Sequence, residues 1–242
     1  YLRYMNSFLD NLTPVVKNLL AINIIMWLVT LVAPGFLMRW GVDVSIEDIL
    51  GMHYWAAEKF NPAQLVTYMF MHGGFYHMFF NMFALFMFGS ALESVWGPRK
   101  FLLYYLVTGV GAGIVQQLFW TVEFQPIMNA VNATIAQTPE AAATLISQKV
   151  DFLNKFITVG ASGSVFGLLL AFGWLFPEAR LMMIFIPVPI KARVFVLLYG
   201  VAELFLGVAN FSGDNIAHFA HLGGMLFGAI LILIWRKKRS LF

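Results

Sequence analysis

The sequence predicts an all-α polytopic membrane protein, a six-transmembrane-helix bundle with interfacial helices in its outer loops. Three observations predict it. Of 242 residues, 60% are hydrophobic and 11% charged, with a mean hydropathy of +0.78, whereas soluble domains carry about 25% charged residues. Six apolar runs each approach the roughly 20 residues a membrane helix needs, because backbone polar groups in lipid must pair within their own segment. Basic residues segregate to one side of that arrangement. The 17% aromatic share excludes a disordered chain, and the absence of Cys removes disulfides, thiolate nucleophiles and Cys-based metal sites together. A net charge of +3 makes no case for nucleic acid.

The spans run approximately Leu19 to Leu37, Phe75 to Val95, Phe101 to Val122, Ile157 to Phe176, Ala192 to Phe211 and Ile216 to Trp235, with Pro34, Pro98 and Pro177 punctuating three ends. This divides the chain into an N-terminal segment 1–18, a membrane domain 19–235 and a basic tail 236–242. An even number of spans puts both termini on one face. Assigning that face to the cytoplasm gathers Arg3, Lys17, Arg99, Lys100, Arg180, Lys191, Arg193, Arg236, Lys237, Lys238 and Arg239 there, and leaves only Arg39, Lys59, Lys149 and Lys155 outside. That is the positive-inside pattern. The chain opens at Tyr1 without Met, which is consistent with a further N-terminal piece, and no signal peptide is visible.

Two outer connections are too long for turns. In the first, Ser45 is placed to cap a short helix at Ile46, and Met52 to Phe60 mixes aromatics with charges as interfaces do. In the second, Thr138, Pro139 and Glu140 read as N-cap, N1 and first-turn acid of a helix whose apolar positions Ala142, Ile146, Val150 and Leu153 recur at helical spacing. An amphipathic helix lying in the interface is expected, and a soluble lid would share the pattern.

Polar groups inside a membrane are expensive, about 2.5–3.5 kcal/mol for a charged one at mid-depth, so each asks for a reason. His77 and Asn81 lie in span two, Ser162 and Ser164 in span four, His218 and His221 in span six. These three spans all run inward from the outer face, and the polar residues fall within about the first two turns of each. They therefore share one depth and predict one buried pocket. Gly163, Gly167 and Ala171 form a small-residue row on span four, answered by Ala220, Gly224 and Gly228 on span six, so the two backbones can approach closely. That brings His221 within reach of Ser162, and a neutral imidazole is the usual activator of a serine hydroxyl. The Ser162 amide, at a helix start, lacks an intrahelical acceptor and can serve an oxyanion; His77 and Asn81, four apart on one helix face, can aim donors at the same oxygen. Phe166 can pack on the His221 ring. No carboxylate presents itself as a third member beside Ser162 and His221; Glu203 sits in span five at a register that reads deeper than the pocket, as a structural hydrogen-bonding group.

Blander readings stand beside these. A lone Ser or His in a membrane helix is more often interhelical glue, and Gly rows are commonly packing alone. Ser164 and His218 are alternatives to Ser162 and His221. His72 reads as a hydrogen bond to loop backbone, and His53 carries no argument.

These residues resemble the rhomboid family of intramembrane serine proteases. Gly160, Ala161, Ser162 and Gly163 match its G-x-S-G motif, Ala220 to Gly224 with Gly228 its A-H-x-x-G segment, and His77 to Asn81 its H-x-x-x-N motif. The resemblance covers spans two to six. It implies a six-helix core with a water-filled cavity open to the outer face, a Ser162–His221 dyad, an oxyanion hole of His77, Asn81 and Ser162, and hydrolysis of membrane-anchored protein substrates near their transmembrane segments. Substrate would enter sideways, past span five and the loop before span six. No cofactor or metal is implied, a bacterial inner membrane is the expected location, and oligomeric state stays open. The alternatives are a catalytically inactive rhomboid-like client-binding protein, as derlin-like proteins are, and a small membrane transporter.

Overall fold

The computed structural model describes residues 12–183, 186–209 and 216–238. Among them, five helices are long and apolar enough to cross a membrane: Pro14–Met38, Phe75–Trp96, Pro98–Gln137, Ala192–Ala209 and His218–Lys237. These are spans one, two, three, five and six. Span four is the apolar helix Ser162–Leu175, 14 residues long, or about 21 Å at 1.5 Å per residue. That is short of a roughly 30 Å hydrocarbon core. Nine of its 14 residues are buried by protein, so its length is set by its neighbours. The chain is an all-α polytopic membrane protein.

Span one starts at Pro14, a residue suited to the first turn because its missing N–H would be unpaired there. The start falls inside the stretch 1–18 that read as a preceding segment. Its free amides are taken by a distant acid: both oxygens of the buried Glu93 accept, from Val15 N and Val16 N, each at 2.9 Å. Pro34, expected at the end of this span, lies inside the helix. Span two widens into a π-helical turn at Leu85–Gly89. The inner ends of spans two, three and six meet in an aromatic cluster in which Trp96 lies 4.8 Å from Tyr104 and 5.2 Å from Trp235.

Span three departs most from expectation. It continues past Val122 to Gln137 as one 40-residue helix that carries Pro126 within it, and at about 60 Å it overreaches the bilayer. After a 3-10 turn at Pro139–Ala141, the helix Ala142–Asn154 folds back along this extension. Phe124 packs on Phe152 and Phe156, and Lys149 Nζ donates to Asn132 Oδ1 at 3.0 Å. The expected amphipathic helix is therefore present, but as one arm of a helical hairpin and not lying alone in the interface.

Span four also begins later than expected. Ile157–Thr158 is a short strand (β2) paired antiparallel with Met52–His53 (β1), tying the first outer loop to the chain just before Ser162. In that loop Ser45 Oγ accepts from Asp48 N as a cap at 3.2 Å, and Gln117 of span three reaches out to accept from Trp55 N and donate to His53 O. The His53 ring is fully buried and meets the Asp48 backbone oxygen at 2.9 Å, so it helps hold the loop. On the opposite face, strands Arg180–Met183 (β3) and Ile186–Lys191 (β4) make a hairpin between spans four and five, where Glu178 pairs with Lys191 and Arg193. Span five is followed to Ala209; its expected end at Phe211, the loop before span six and Arg239 lie outside the described residues.

Candidate active site

Packing decides which hydroxyl meets which imidazole. A Cβ built on Gly224 would lie 1.9 Å from Gly163 O, so these two glycines put the backbones of spans four and six in direct contact. Gly167 and Gly228 do something else. Their added Cβ atoms would strike Thr108 at 2.7 Å and the Tyr104 hydroxyl at 2.3 Å, both on span three, and Tyr104 donates to Gly167 O at 2.9 Å. The small-residue rows thus serve a three-helix junction, with span three wedged behind spans four and six, where a two-helix contact was expected.

At the outer end of that junction Ser162 Oγ lies 2.9 Å from His221 Nε2. The Phe166 ring stacks on the His221 imidazole, 4.1 Å between centroids and 7° from parallel, and Tyr199 stacks on the far face of Phe166 at 5.0 Å. Ser164 is turned away, donating to Tyr105 O at 2.8 Å on span three. The His218 Nδ1 instead meets Glu203 Oε2 at 2.7 Å. Both alternative assignments therefore lose their geometry.

A cavity of about 700 Å³ takes in Ser162, His221, His77, Asn81 and Tyr199, with Gly73, Gly74 and Thr158 along its rim. Gly160 explains how His77 fits beside the serine. At φ +133° this residue has a backbone shape that L side chains rarely adopt, and a Cβ there would fall 2.7 Å from the His77 ring. Asn81 is 6% exposed, and its Nδ2 has no protein acceptor. A buried orphan donor facing a cavity asks for a ligand oxygen. The Ser162 amide precedes the first intrahelical bond of span four, Val165 N to Ala161 O, so it is likewise available. His72, in the loop before span two, was expected to bond loop backbone. Instead neither ring nitrogen has a protein partner, and the ring stands edge-on to His77 at 5.1 Å. Burial first, and then His77, push its pKa down to about 3, so it brings no charge to the site.

Glu203 is a hydrogen-bonding group as expected, but its expected place is corrected. It is not below the pocket: its Oε2 lies 2.9 Å from His221 Nδ1 as well as 2.7 Å from His218 Nδ1. The sequence did hold a signal. A lone acid in a span asks for a partner, and two histidines three apart on the next helix offered one. Glu203, His218 and His221 place one ligand atom each within 4.8 Å of one another, a donor set that zinc accepts. Here the shared carboxylate oxygen already satisfies both Nδ1 atoms.

A membrane-embedded serine and histidine in contact, inside a six-helix bundle, define the class of protein. The Rhomboid domain matches residues 59–238, and the chain belongs to the rhomboid family. It is 32% identical over 197 residues to the mitochondrial presenilin-associated rhomboid-like protein A of Danio rerio, covering 76% of this chain and 42% of that protein. It is 26% identical over 234 residues to the rhomboid protein YdcA of Bacillus subtilis, covering 95% and 92%. Identity to the mitochondrial rhomboid protein 1 of Saccharomyces cerevisiae is 30% over 161 residues, which is 66% of this chain and 38% of that one. The chain thus spans well under half of the mitochondrial relatives and nearly all of the bacterial one.

Proposed function

We propose that this chain is an intramembrane serine endopeptidase that cleaves membrane-anchored proteins in or near their transmembrane segments. The observation that carries the reading is the 2.9 Å contact of Ser162 Oγ with His221 Nε2 at the edge of a cavity. His221 Nε2 takes the hydroxyl proton as Oγ attacks the scissile carbonyl carbon. The Ser162 amide, Asn81 Nδ2 and the His77 ring donate to the resulting oxyanion. The C–N bond then breaks, His221 returns the proton to the departing amine, and Ser162 holds the acyl group. Water, deprotonated by the same imidazole, releases the acid and restores the hydroxyl.

Substrate carbonyls in an intact helix are already hydrogen-bonded, so segments with small or helix-breaking residues are the preferred substrates. The test is a single-span substrate co-reconstituted with the purified chain in vesicles. Cleavage that requires both Ser162 and His221, and that quickens when Gly or Pro is placed near the scissile bond, is expected. Cleavage by Ser162→Ala at the unaltered rate would contradict the reading.

The distribution of basic residues supports cytoplasmic termini and a cavity facing outward. The near full-length match to the Bacillus subtilis relative supports a bacterial cytoplasmic membrane. Because these 242 residues include no Cys, single cysteines test the topology cleanly. Lys59→Cys is expected to react with an impermeant thiol reagent added outside, and Lys238→Cys only after lysis. The opposite pattern inverts the topology.

A further inference from the structure

Span five is the span with least of its surface buried by protein after span one, and its buried residues are Ala192, Val196 and Glu203. Two of these are apolar. The third is a carboxylate whose side chain is 6% exposed and whose Oε2 receives two imidazole Nδ1 atoms from span six. Mere anchorage of span five would be served by either histidine, and a buried ion pair is a poor source of stability compared with apolar packing. The feature to explain is that one of the two partners is the same ring that contacts Ser162.

An ionised carboxylate only accepts hydrogen bonds, so each Nδ1 facing it must carry its proton. On His221 this leaves Nε2 bare, with its lone pair toward Ser162 Oγ, which is the one tautomer able to accept the hydroxyl proton. We propose that Glu203 is a positioning residue for the catalytic base: it fixes the tautomer and ring orientation of His221 and stabilises the imidazolium that forms during attack, while His218 holds the carboxylate in place. This rests on the protease reading above and extends it from a dyad to a Ser162–His221–Glu203 chain braced by His218. His218 and His221 are three residues apart, so their Nδ1 atoms project from one helix face and reach a single oxygen. Two charge-assisted bonds also offset the cost of burying the charge.

The experiment measures cleavage kinetics and the rate of labelling by a fluorophosphonate probe for the unaltered chain, Ser162→Ala, Glu203→Gln, His218→Leu and His218→Asn. Glu203→Gln is expected to lower kcat and the labelling rate together by up to about 10⁴, the loss seen when the acid behind a catalytic histidine is replaced by its amide, with KM unchanged. His218→Leu loses part of the rate, and His218→Asn, which can donate to the same oxygen, recovers most of it. Labelling of the unaltered chain that vanishes in Ser162→Ala establishes the hydrolase independently, so a folded Glu203→Gln chain that labels at the full rate overturns this inference alone. If Glu203→Gln does not fold, the imidazole ¹⁵N resonances of the unaltered protein decide, with His221 assigned by its loss in His221→Ala. A proton on His221 Nδ1 supports the proposal, and one on Nε2 with Nδ1 bare refutes it.

Discussion

Spans four and five carry parts of one site on very different footings. Span four is buried along nearly its whole length, with Gly163 and Gly167 locked against Ala112 and Thr108 of span three. Span five leaves Leu197, Leu198, Val201, Leu204 and Val208 largely exposed. Ser162 and His221 thus sit on helices whose backbones touch at Gly163 and Gly224, while Glu203, which faces His221, rides on a helix with few buried residues. Under the proposed function, catalytic geometry calls for the first kind of support, and admission of a substrate's membrane segment between the helices calls for the second.

The largest effect that sharpens this contrast is at the nucleophile. Ser162→Ala is expected to abolish cleavage and probe labelling while leaving the thermal transition of the purified protein in place, since the change removes one atom at a cavity wall. Next comes Asn81→Ala, for which about a 10²- to 10³-fold loss of kcat is expected, equivalent to about 2.7–4 kcal/mol of transition-state stabilisation. If Asn81→Ala were as dead as Ser162→Ala while folding normally, the oxyanion assignment would be wrong. Gly224→Ala tests the rigid half by stability. The added methyl meets the Gly163 carbonyl, a backbone atom that cannot swing aside, so a cost of about 1–3 kcal/mol is expected, read as a lowered denaturation midpoint in detergent. Leu204→Ala, on the uncovered face of span five, is the matched control, with a change within about 0.5 kcal/mol. Equal destabilisation by the last two would erase the distinction between the helices.

Much of this was legible in the sequence because it is local. Hydropathy marks spans whose backbones must self-pair, and Ser162, His221, His77 and Asn81 fall within about the first two turns of spans that the basic-residue pattern orients inward. What escaped was non-local or contrary to a local rule. Span three read as ending at Val122, yet the helix persists to Gln137, through Pro126, because its extension packs against Ala142–Asn154. The two-residue strands Met52–His53 and Ile157–Thr158 are too short to show periodicity. Glu203 was misplaced because counting residues along one span gives a depth only if every helix stands at the same tilt and height. The glycine rows were recognised, but whether they faced one neighbour or two depended on Tyr104 and Thr108, which carry no motif.

The central claim is that His221 activates Ser162 toward an acyl-type electrophile inside the membrane. Its most direct test is to treat the folded, membrane-reconstituted chain with a fluorophosphonate and locate the adduct by peptide mass. A single phosphonyl adduct on Ser162, lost in His221→Ala although Ser162 is still present, is the expected result. A folded chain that takes up no probe, or one whose adduct forms as fast without His221, would contradict it.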